Sequence, residues 1–486
     1  MDSRLPYERK SPYVDFIGFA PDVDPTLPGV CTQMDGAIPT ERGFRAMPKL
    51  DRTDRYNEFT AGYSTVPTQV YFAGGFRYVH VATNLYVHSA STIPQDVRPY
   101  TLVAGSPISF TQLGSAVIMT NGYNTIAAAA SAGGTFSAIT GGPTTQKLLA
   151  TASRFVLAFD GIDIWRCSAR DNHLSWTANP ATLAAFGQIP ETYDDLIRAA
   201  ATMGDDVIVL KEMTAFRGRF EKGNSEVWDW RKIALNVGAH HNNGAVPYKQ
   251  GILILSDEGL FFWDGSNLTN LMDERLAGWY RKRVVQTELR NRIVVDELRD
   301  LIWVRITLYD SDELTTYTIK VLVVDPKTRR WGAWSGTEGV SSISQGPTYY
   351  PGNYTGSAIL SRSTVQNVWL IPGVAPYTPR EVAGPATAAA VATISTGDFG
   401  HPFRDVELTR VSPKFLMAPT GTLPLVTGLY RNNLDESLST TAPIARATDG
   451  HFDVHQNARW HRLKFTLYGD WEMTGYAPEM TQAGMR

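Results

Sequence analysis

Few side chains in this sequence are spaced for chemistry. The only adjacent histidines are His240 and His241. Neighbouring side chains on a strand point to opposite faces, so these two rings are poorly placed to share a metal ion. The sequence contains no nucleophile elbow, phosphate-binding loop, zinc-protease motif or CxxC pair. We therefore predict no catalytic residue, no cofactor and no metal.

Acidic residues occur in adjacent pairs, as at Asp205-Asp206 and Asp257-Glu258. Each pair lies beside a glycine and between short apolar runs, where acidic side chains commonly help to form tight turns. A glycosidase would instead need carboxylates that converge on one cleft. Because one sequence cannot show such convergence, we interpret the pairs as turn formers.

Two basic clusters stand out in a chain whose formal net charge is −3. One follows two aromatic residues near position 280, and the other precedes a tryptophan near position 330. A solvated surface is the simpler interpretation, and sparse contacts with phosphates or with a partner in an oligomeric channel are the alternative. The candidate contact residues are Arg281, Lys282, Arg283, Lys327, Arg329 and Arg330.

The elements that position these residues are clearest in residues 204–271. This stretch contains two copies of one unit, in which an apolar run, a polar turn and a second short run follow one another. The runs are of strand length and rich in branched and aromatic residues, so each unit is predicted to be an antiparallel hairpin. Such a hairpin cannot bury its apolar face alone, and further copies must therefore stack on it.

Similar strand pairs recur along the chain, starting near residues 69, 114, 152, 204, 250 and 298. A spacing of roughly 40 to 50 residues is typical of four-stranded propeller blades. A last short pair at 358–370 could close the ring. The pattern therefore predicts a β-propeller of about six blades over residues 69–372. One segment in this region, Glu191 to Ala201, is predicted to be helical because acidic residues begin it and Arg198 lies near its end.

The flanking regions differ from the blades. Residues 1–68 are rich in proline but also hold four early aromatics, so we predict an extended N-terminal arm that packs on another surface, such as a neighbouring subunit. Residues 373–395 have the composition of a linker. Residues 396–486 alternate cleanly, as at Leu463, Phe465 and Leu467, and are predicted to form a C-terminal antiparallel β-domain.

Composition limits the class of protein. Glycine (41) and proline (28) are abundant and charged residues make up only 19%, which suits an all-β fold of short strands and turns. Cys31 and Cys167 lie too far apart for a disulfide framework. No signal peptide and no run long enough to span a membrane is present. The chain is therefore expected to be made in a reducing cytoplasm without stable membrane insertion.

Four segments carry a resemblance: residues 164–172 with Trp176, residues 204–220, residues 254–265, and residues 458–476. They resemble the tail nozzle (tail tubular or packaged-DNA stabilisation) proteins of short-tailed bacteriophages. The first three are similar to successive blades of that family, and the fourth is similar to its terminal β-domain. The match covers about residues 150–280 and 396–486, and the order of the segments is more specific than any one of them.

The resemblance implies an architectural function. Such proteins form rings, commonly homohexamers, that extend the tail and close the DNA-ejection channel beneath the portal. The implied partners are the tail adaptor protein of the portal complex, tail fibre or tailspike proteins, and viral double-stranded DNA that passes without specific binding. The implied location is the virion tail, after synthesis in the host bacterial cytoplasm.

Two other classes of function remain open at this point. A carbohydrate-active propeller enzyme would need several acids that face the propeller axis and have raised pKa values. A non-viral propeller scaffold would usually show regular signature repeats, which this sequence lacks. A virion protein that is not an enzyme is the expectation that best fits the residues.

Overall fold

The structure is a computed structural model, and its secondary structure is almost entirely β-strand. The helix Asp273–Arg283 is the one helix in the parts of the chain that it describes. These parts are residues 13–47, 51–52, 67–88, 95–104, 106–190, 195–223, 227–233, 237–239, 244–285, 291–297, 299–309, 317–335, 340–345, 358–362, 368–370, 391–420 and 422–482.

Five sheets form a five-blade β-propeller arrangement, and in each sheet four antiparallel strands follow one another along the chain. We number these blades one to five in chain order. Their strands are, blade by blade: Pro67–Ala73, Phe76–Val81, Asn84–His88 and Gln95–Asp96; Ser109–Leu113, Ala116–Thr120, Ala127–Ala129 and Ser137–Ala138; Leu148–Ala152, Phe155–Phe159, Ile164–Cys167 and Ala185–Gln188; Ile197–Met203, Asp206–Lys211, Ala215–Phe220 and Trp228–Ile233; Ala245–Tyr248, Gly251–Ser256, Gly259–Trp263 and Leu268–Asn270.

Local residue chemistry explains the turns between these strands. In blade three the Asp160 carboxylate accepts backbone N–H groups from Ile162, Asp163 and Ile164 at 2.8 to 3.1 Å, which reverses the chain. In blade four Gly204 adopts a φ of +62°, a left-handed conformation that glycine enters without steric cost. The two predicted hairpins of residues 204–271 are confirmed, and they occupy equivalent positions as the middle strands of blades four and five.

Two more sheets lie between blade five and blade one. Arg292–Asp296 contacts the first strand of blade five, and Val340–Gln345 contacts the first strand of blade one. The second of these sheets contains Val340–Gln345, Ala358–Arg362, Val368–Leu370 and, from far upstream, Asp51–Arg52. The strands predicted at 358–370 are therefore confirmed. The predicted count of six blades is not confirmed.

The other sheet has ten strands and extends beyond the propeller. It begins with Arg292–Asp296, Leu301–Tyr309, Tyr317–Asp325 and Arg330–Trp334, and continues through Ala37–Pro39, Phe44–Ala46, Glu472–Gln482, Val406–Met417 and Phe452–Ala458. Val14–Asp15 pairs with Glu472–Gln482.

An eight-stranded sheet faces the far part of that ten-stranded sheet. Its strands are Gly18–Phe19, Val30–Asp35, Val391–Thr396, Trp460–Tyr468, Leu425–Arg431, Ser439–Thr440, Phe399–Gly400 and Ile444–Ala445. We call residues 14–46 and 391–482 the terminal module. The C-terminal antiparallel β structure is as predicted, and Leu463, Phe465 and Leu467 are all buried.

The extended N-terminal arm is not confirmed. Residues 14–46 pair with strands of their own chain, and Phe16 is 1% exposed. Its ring packs against Phe44, Phe465 and Tyr476, with ring centroids 5.9 to 6.5 Å apart. Of the aromatics that suggested an ordered arm, Phe16 and Phe19 belong to the core of the terminal module and Tyr13 is 53% exposed. Tyr7 lies outside the described residues.

Three local predictions need correction. The helix predicted from Glu191 to Ala201 is wrong over its described part, because Ile197–Met203 is a strand paired with Asp206–Lys211. Asn121-Gly122 directly follows the strand Ala116–Thr120 and is a strong sequence signal for a two-residue hairpin, but it does not form one. Asn121 accepts N–H groups from Tyr123 and Asn124 in a wider loop.

The predicted linker 373–395 also ends differently. Residues 371–390 lie outside the described part of the chain. Val391–Thr396 is a strand of the eight-stranded sheet, where it pairs with both Val30–Asp35 and Trp460–Tyr468. The terminal module therefore begins within the stretch predicted to be a linker.

Candidate functional site

The first basic cluster lies in the last turn of the helix Asp273–Arg283. Positive side chains are favourable there because the helix carries partial negative charge at its C-terminal end. Arg281 pairs with Glu258 at 3.1 Å, and the guanidinium of Arg283 lies 6.0 Å from the centre of the Trp279 ring. Lys282 is exposed.

The second basic cluster lies on the turn between Tyr317–Asp325 and Arg330–Trp334. The Lys327 ammonium pairs with Asp300 at 2.9 Å. Arg330 donates to the backbone carbonyls of Thr40 and Glu41 at 3.4 and 2.5 Å, which ties this turn to the N-terminal strands. These contacts favour a structural role for both residues.

The structure does not bring the two clusters together as one patch. The Arg329 guanidinium lies 3.9 Å from the Asp273 carboxylate at the start of the helix. Residues 281–283 lie at the other end of the helix. An 11-residue helix is about 16 Å long. None of the six candidate residues lies on the first strand of a blade or of the two further sheets. These side chains therefore do not lie along the axis of the propeller, and their predicted contacts in an oligomeric channel stay a prediction.

A charged cluster surrounds Asp300. The sequence did not predict it. The Asp300 carboxylate accepts the Tyr248 hydroxyl at 2.7 Å and pairs with the ammonium groups of Lys249 and Lys327. Burial opposes the charge on this carboxylate, but the hydrogen bonds from Tyr248, Lys327 and Lys249 outweigh it and lower the pKa of Asp300 to about 2. No sequence signal joins these residues, because 51 positions separate Lys249 from Asp300.

A pocket of about 600 Å³ lies beside this cluster, at one end of blade five. It is formed by the turn after Tyr248 and by the turn that follows Trp263. Backbone hydrogen bonds from Asn267 and Ser266 lower the pKa of Asp264, which keeps this carboxyl charged. The lining residues are Lys249, Gln250, Phe262, Asp264, Ser266 and Asn267.

Large apolar side chains are exposed at many positions of the described chain, and two groups of them each lie in one part of the fold. At one tip of the terminal module, Leu416, Met417 and Leu423 are 53%, 44% and 61% exposed. On blade three, Phe186 is 62% exposed on the last strand and Ile162 is 52% exposed on a turn. Exposed apolar groups of this kind are candidate contacts with other proteins.

Asp205, Asp257 and Glu258 lie in turns, as predicted, whereas Asp206 does not. Asp206 begins a strand and pairs with Arg217 and Arg219. Asp257 and Glu258 connect the middle strands of blade five. His240 and His241 lie outside the described residues. Within the described ranges no three His, Cys, Asp or Glu side chains are grouped as metal ligands, and no helix has the length and apolar character needed to cross a membrane.

Comparisons with known proteins give no family. No family model matches the sequence, and no curated protein does. Among solved structures, the chain is similar to the WD40 β-propeller domain of Doa1 (TM-score 0.41, 10% identity, 68% of this chain and 98% of that one) and to the computationally designed protein Ika8 (0.39, 11%, 64% and 98%). It is also similar to PorZ, a surface component of the type-IX secretion system of Porphyromonas gingivalis (0.40, 10%, 71% of this chain), of which it spans 43%.

Proposed function

We propose that this chain is a structural virion protein, the tail nozzle of a short-tailed bacteriophage. Copies of it, most simply six, assemble into a ring that extends and closes the DNA-ejection channel below the portal and adaptor. The ring also offers docking surface for fibres or spikes, and DNA passes through it without specific binding. The protein is made in the host cytoplasm, resides in the virion tail and is not an enzyme.

The observation that carries this proposal is one apolar core shared by the propeller and the terminal module. The core includes Leu253 of blade five, Leu276 of the helix, Val304 of the ten-stranded sheet and Phe465 of the terminal module. Domains of one chain usually share only a small interface and can move relative to one another. A subunit that must hold its place in a ring around pressurised DNA needs instead the rigid connection that a common core provides.

The places of the resembling segments also support the proposal. Ile164–Cys167 is the third strand of blade three, and residues 204–220 supply the middle strands of blade four. Residues 254–265 lie in blade five, and residues 458–476 lie in the terminal module. The segments therefore occupy three successive blades and then the terminal module, which is the order that the resemblance implies.

The enzyme alternative needs several acids that face the propeller axis. The first strands of the five blades and of the two further sheets carry a single acid, Asp296. Its carboxylate is fully buried and pairs with Arg299 at 2.7 Å. This pairing fits a structural ion pair better than a general acid.

The experiment that tests the proposal is the mass of the full-length protein in solution, measured by light scattering with and without a portal–adaptor complex. We expect six chains of 53.6 kDa each, either alone or bound to the complex. A monomer whose measured mass is the same with and without the complex would refute the proposal.

Surface variants sharpen this test. A Leu416→Asp, Leu423→Asp double variant places charge on the exposed apolar tip and should weaken ring formation while the circular dichroism spectrum stays unchanged. Leu434→Asp, on a partly exposed residue of the same module, is the matched control. Equal ring formation by all three proteins would show that this tip takes no part in assembly.

A further inference from the structure

The pocket at the end of blade five is an open depression, because five of its six lining residues are exposed and only Phe262 is half-buried. Its volume of about 600 Å³ falls within the range of roughly 300 to 1,000 Å³ that is usual for such sites. Both of its walls are turns of blade five, so a rigid sheet positions them.

Its aromatic wall is fixed by its neighbours. Phe262 packs edge-on against Tyr248, with ring centroids 5.7 Å apart. The ring also lies close over Gly251, where an added Cβ would be 2.7 Å from Phe262 Cε2. Phe262 is half-buried, so part of the ring remains available to line the pocket.

The polar walls are also ordered in advance. The Asp264 carboxylate accepts the N–H groups of Ser266 and Asn267 at 2.8 and 2.7 Å, which sets the shape of that turn. The Lys249 ammonium lies 4.7 Å from the centre of the Tyr248 ring and donates to Asp300 at 3.2 Å. Asp264 and Lys249 would therefore lose little conformational freedom on binding, whereas the exposed Gln250 side chain would be ordered by the ligand.

The chemistry of the lining selects the class of ligand. The pocket presents one ammonium, one carboxylate, two amides and one hydroxyl, which together offer donors and acceptors without net charge. An anion would meet Asp264, and a cation would meet Lys249. Sugar hydroxyls both donate and accept hydrogen bonds, and the C–H face of a pyranose fits against an aromatic ring.

We propose that this pocket binds a neutral saccharide, with Phe262 as the apolar platform and Lys249, Gln250, Asp264 and Asn267 as hydrogen-bonding partners of its hydroxyls. This inference goes beyond the assembly proposed above and does not depend on it. A binding site on the exposed end of a blade requires neither ring formation nor catalysis.

The test is saturation-transfer NMR on the full-length protein with cellobiose, lactose and maltose as probes, and with glucuronic acid and glucosamine as charged comparators. We expect transfer to at least one neutral disaccharide and weaker transfer to both charged sugars. No transfer to any neutral disaccharide, or transfer to glucuronic acid as strong as to the neutral sugars, would overturn the proposal.

Variants locate the binding. Gln250→Ala and Asn267→Ala change exposed side chains and should each weaken binding roughly two- to tenfold. Phe262→Ala should weaken it further, and Phe186→Ala, on an exposed ring in blade three, is the matched control and should leave it unchanged. Binding that is unaffected by both Gln250→Ala and Asn267→Ala would place the sugar elsewhere and refute the assignment.

Discussion

Blade four and the terminal module build β structure from the chain in two different ways. Blade four takes all four strands from residues 197–233, and each strand pairs with its neighbour in sequence. The terminal module joins the two ends of the chain, as where Val14 lies opposite Tyr476. Local pairings are specified by short patterns, whereas pairings between distant segments depend on the whole fold.

The same contrast appears in the contacts that hold each region. Residues 14–46 contact three parts of the molecule. Asp22 accepts the N–H of Trp279 within the helix at 2.8 Å, and Asp35 accepts the N–H of Ser335 at 2.6 Å. The carbonyl of Pro25 accepts the N–H of Asp398, also at 2.6 Å. Substitutions in residues 14–46 should therefore lower the free energy of unfolding more than comparable substitutions in a blade.

The largest effect is expected at Phe16. Phe16→Ala removes a ring packed between both sheets of the terminal module, and we expect the free energy of unfolding to fall by about 3–5 kcal/mol. Chemical denaturation of the full-length protein measures this. Tyr13→Ala, on a side chain that is 53% exposed, is the control and should cost about 1 kcal/mol or less. Equal losses for the two variants would remove the distinction between core and surface in this segment.

The next effect concerns a buried ion pair network. The Asp398 carboxylate is fully buried and pairs with Arg431 and Arg462 at 2.5 and 3.0 Å. Asp398→Ala leaves two largely buried guanidinium groups without this partner, and we expect a loss of about 3 kcal/mol. In blade four, Asp229→Ala breaks an exposed pair with Arg231 and should cost less than about 1 kcal/mol. Urea titrations that give similar losses would contradict the comparison.

A pH effect is expected from His80 in blade one. Burial lowers the pKa of His80 to about 4, against an ordinary value of 6.5. The unfolded chain therefore binds a proton below pH 6.5 that the folded chain binds only near pH 4. Above pH 6.5 His80 does not reduce the free energy of unfolding. As the pH drops from 6.5 to 4, its protonation in the unfolded chain lowers the free energy of unfolding by about 3 kcal/mol. His80→Gln should flatten this part of the stability curve, and an unchanged slope would show that His80 is not responsible.

The smallest effects are expected at turn glycines, and here the two regions should differ again. Gly204→Ala in blade four forces a left-handed conformation, but its Cβ would meet nothing within 4 Å, so we expect a loss of about 1 kcal/mol. Gly29→Ala should cost more, because its Cβ would lie 2.1 Å from the carbonyl oxygen of Asp15. Thermal unfolding of both variants measures the difference. A larger loss at Gly204 would contradict the account of both turns.

The blades could largely be predicted from sequence because their signals are local. The apolar runs of residues 204–271 and the turn at Asp160 specify hairpins within a few residues. Ile197–Met203 misled the prediction because acidic residues precede it, although its buried positions Ile197, Ala199 and Ala201 alternate as in a strand.

The observed helix carried a signal that was available. Asp273 and Glu274 begin Asp273–Arg283 and three basic residues end it, which is the charge pattern that the helix dipole favours. The three basic residues alone also fit a solvated surface cluster, and only their distance from Asp273 and Glu274 in the sequence indicates a helix.

The Asp300 cluster and the terminal module could not be predicted from sequence in the same way. Lys249 and Lys327 reach Asp300 from separate sheets, and no spacing in the chain indicates that they meet. Likewise, proline-rich residues near the N-terminus pair with strands more than 350 positions away. Such pairings follow from the shared core and not from local pattern.

The most direct test of this account is hydrogen exchange of residues 14–46 in the unassembled full-length protein. If these residues belong to the core of their own chain, the backbone amides of Val30–Asp35 should exchange as slowly as those of Trp460–Tyr468. Fast exchange of Val30–Asp35 beside slow exchange of Trp460–Tyr468 would contradict the account. It would instead indicate an arm that becomes ordered only on a neighbouring subunit.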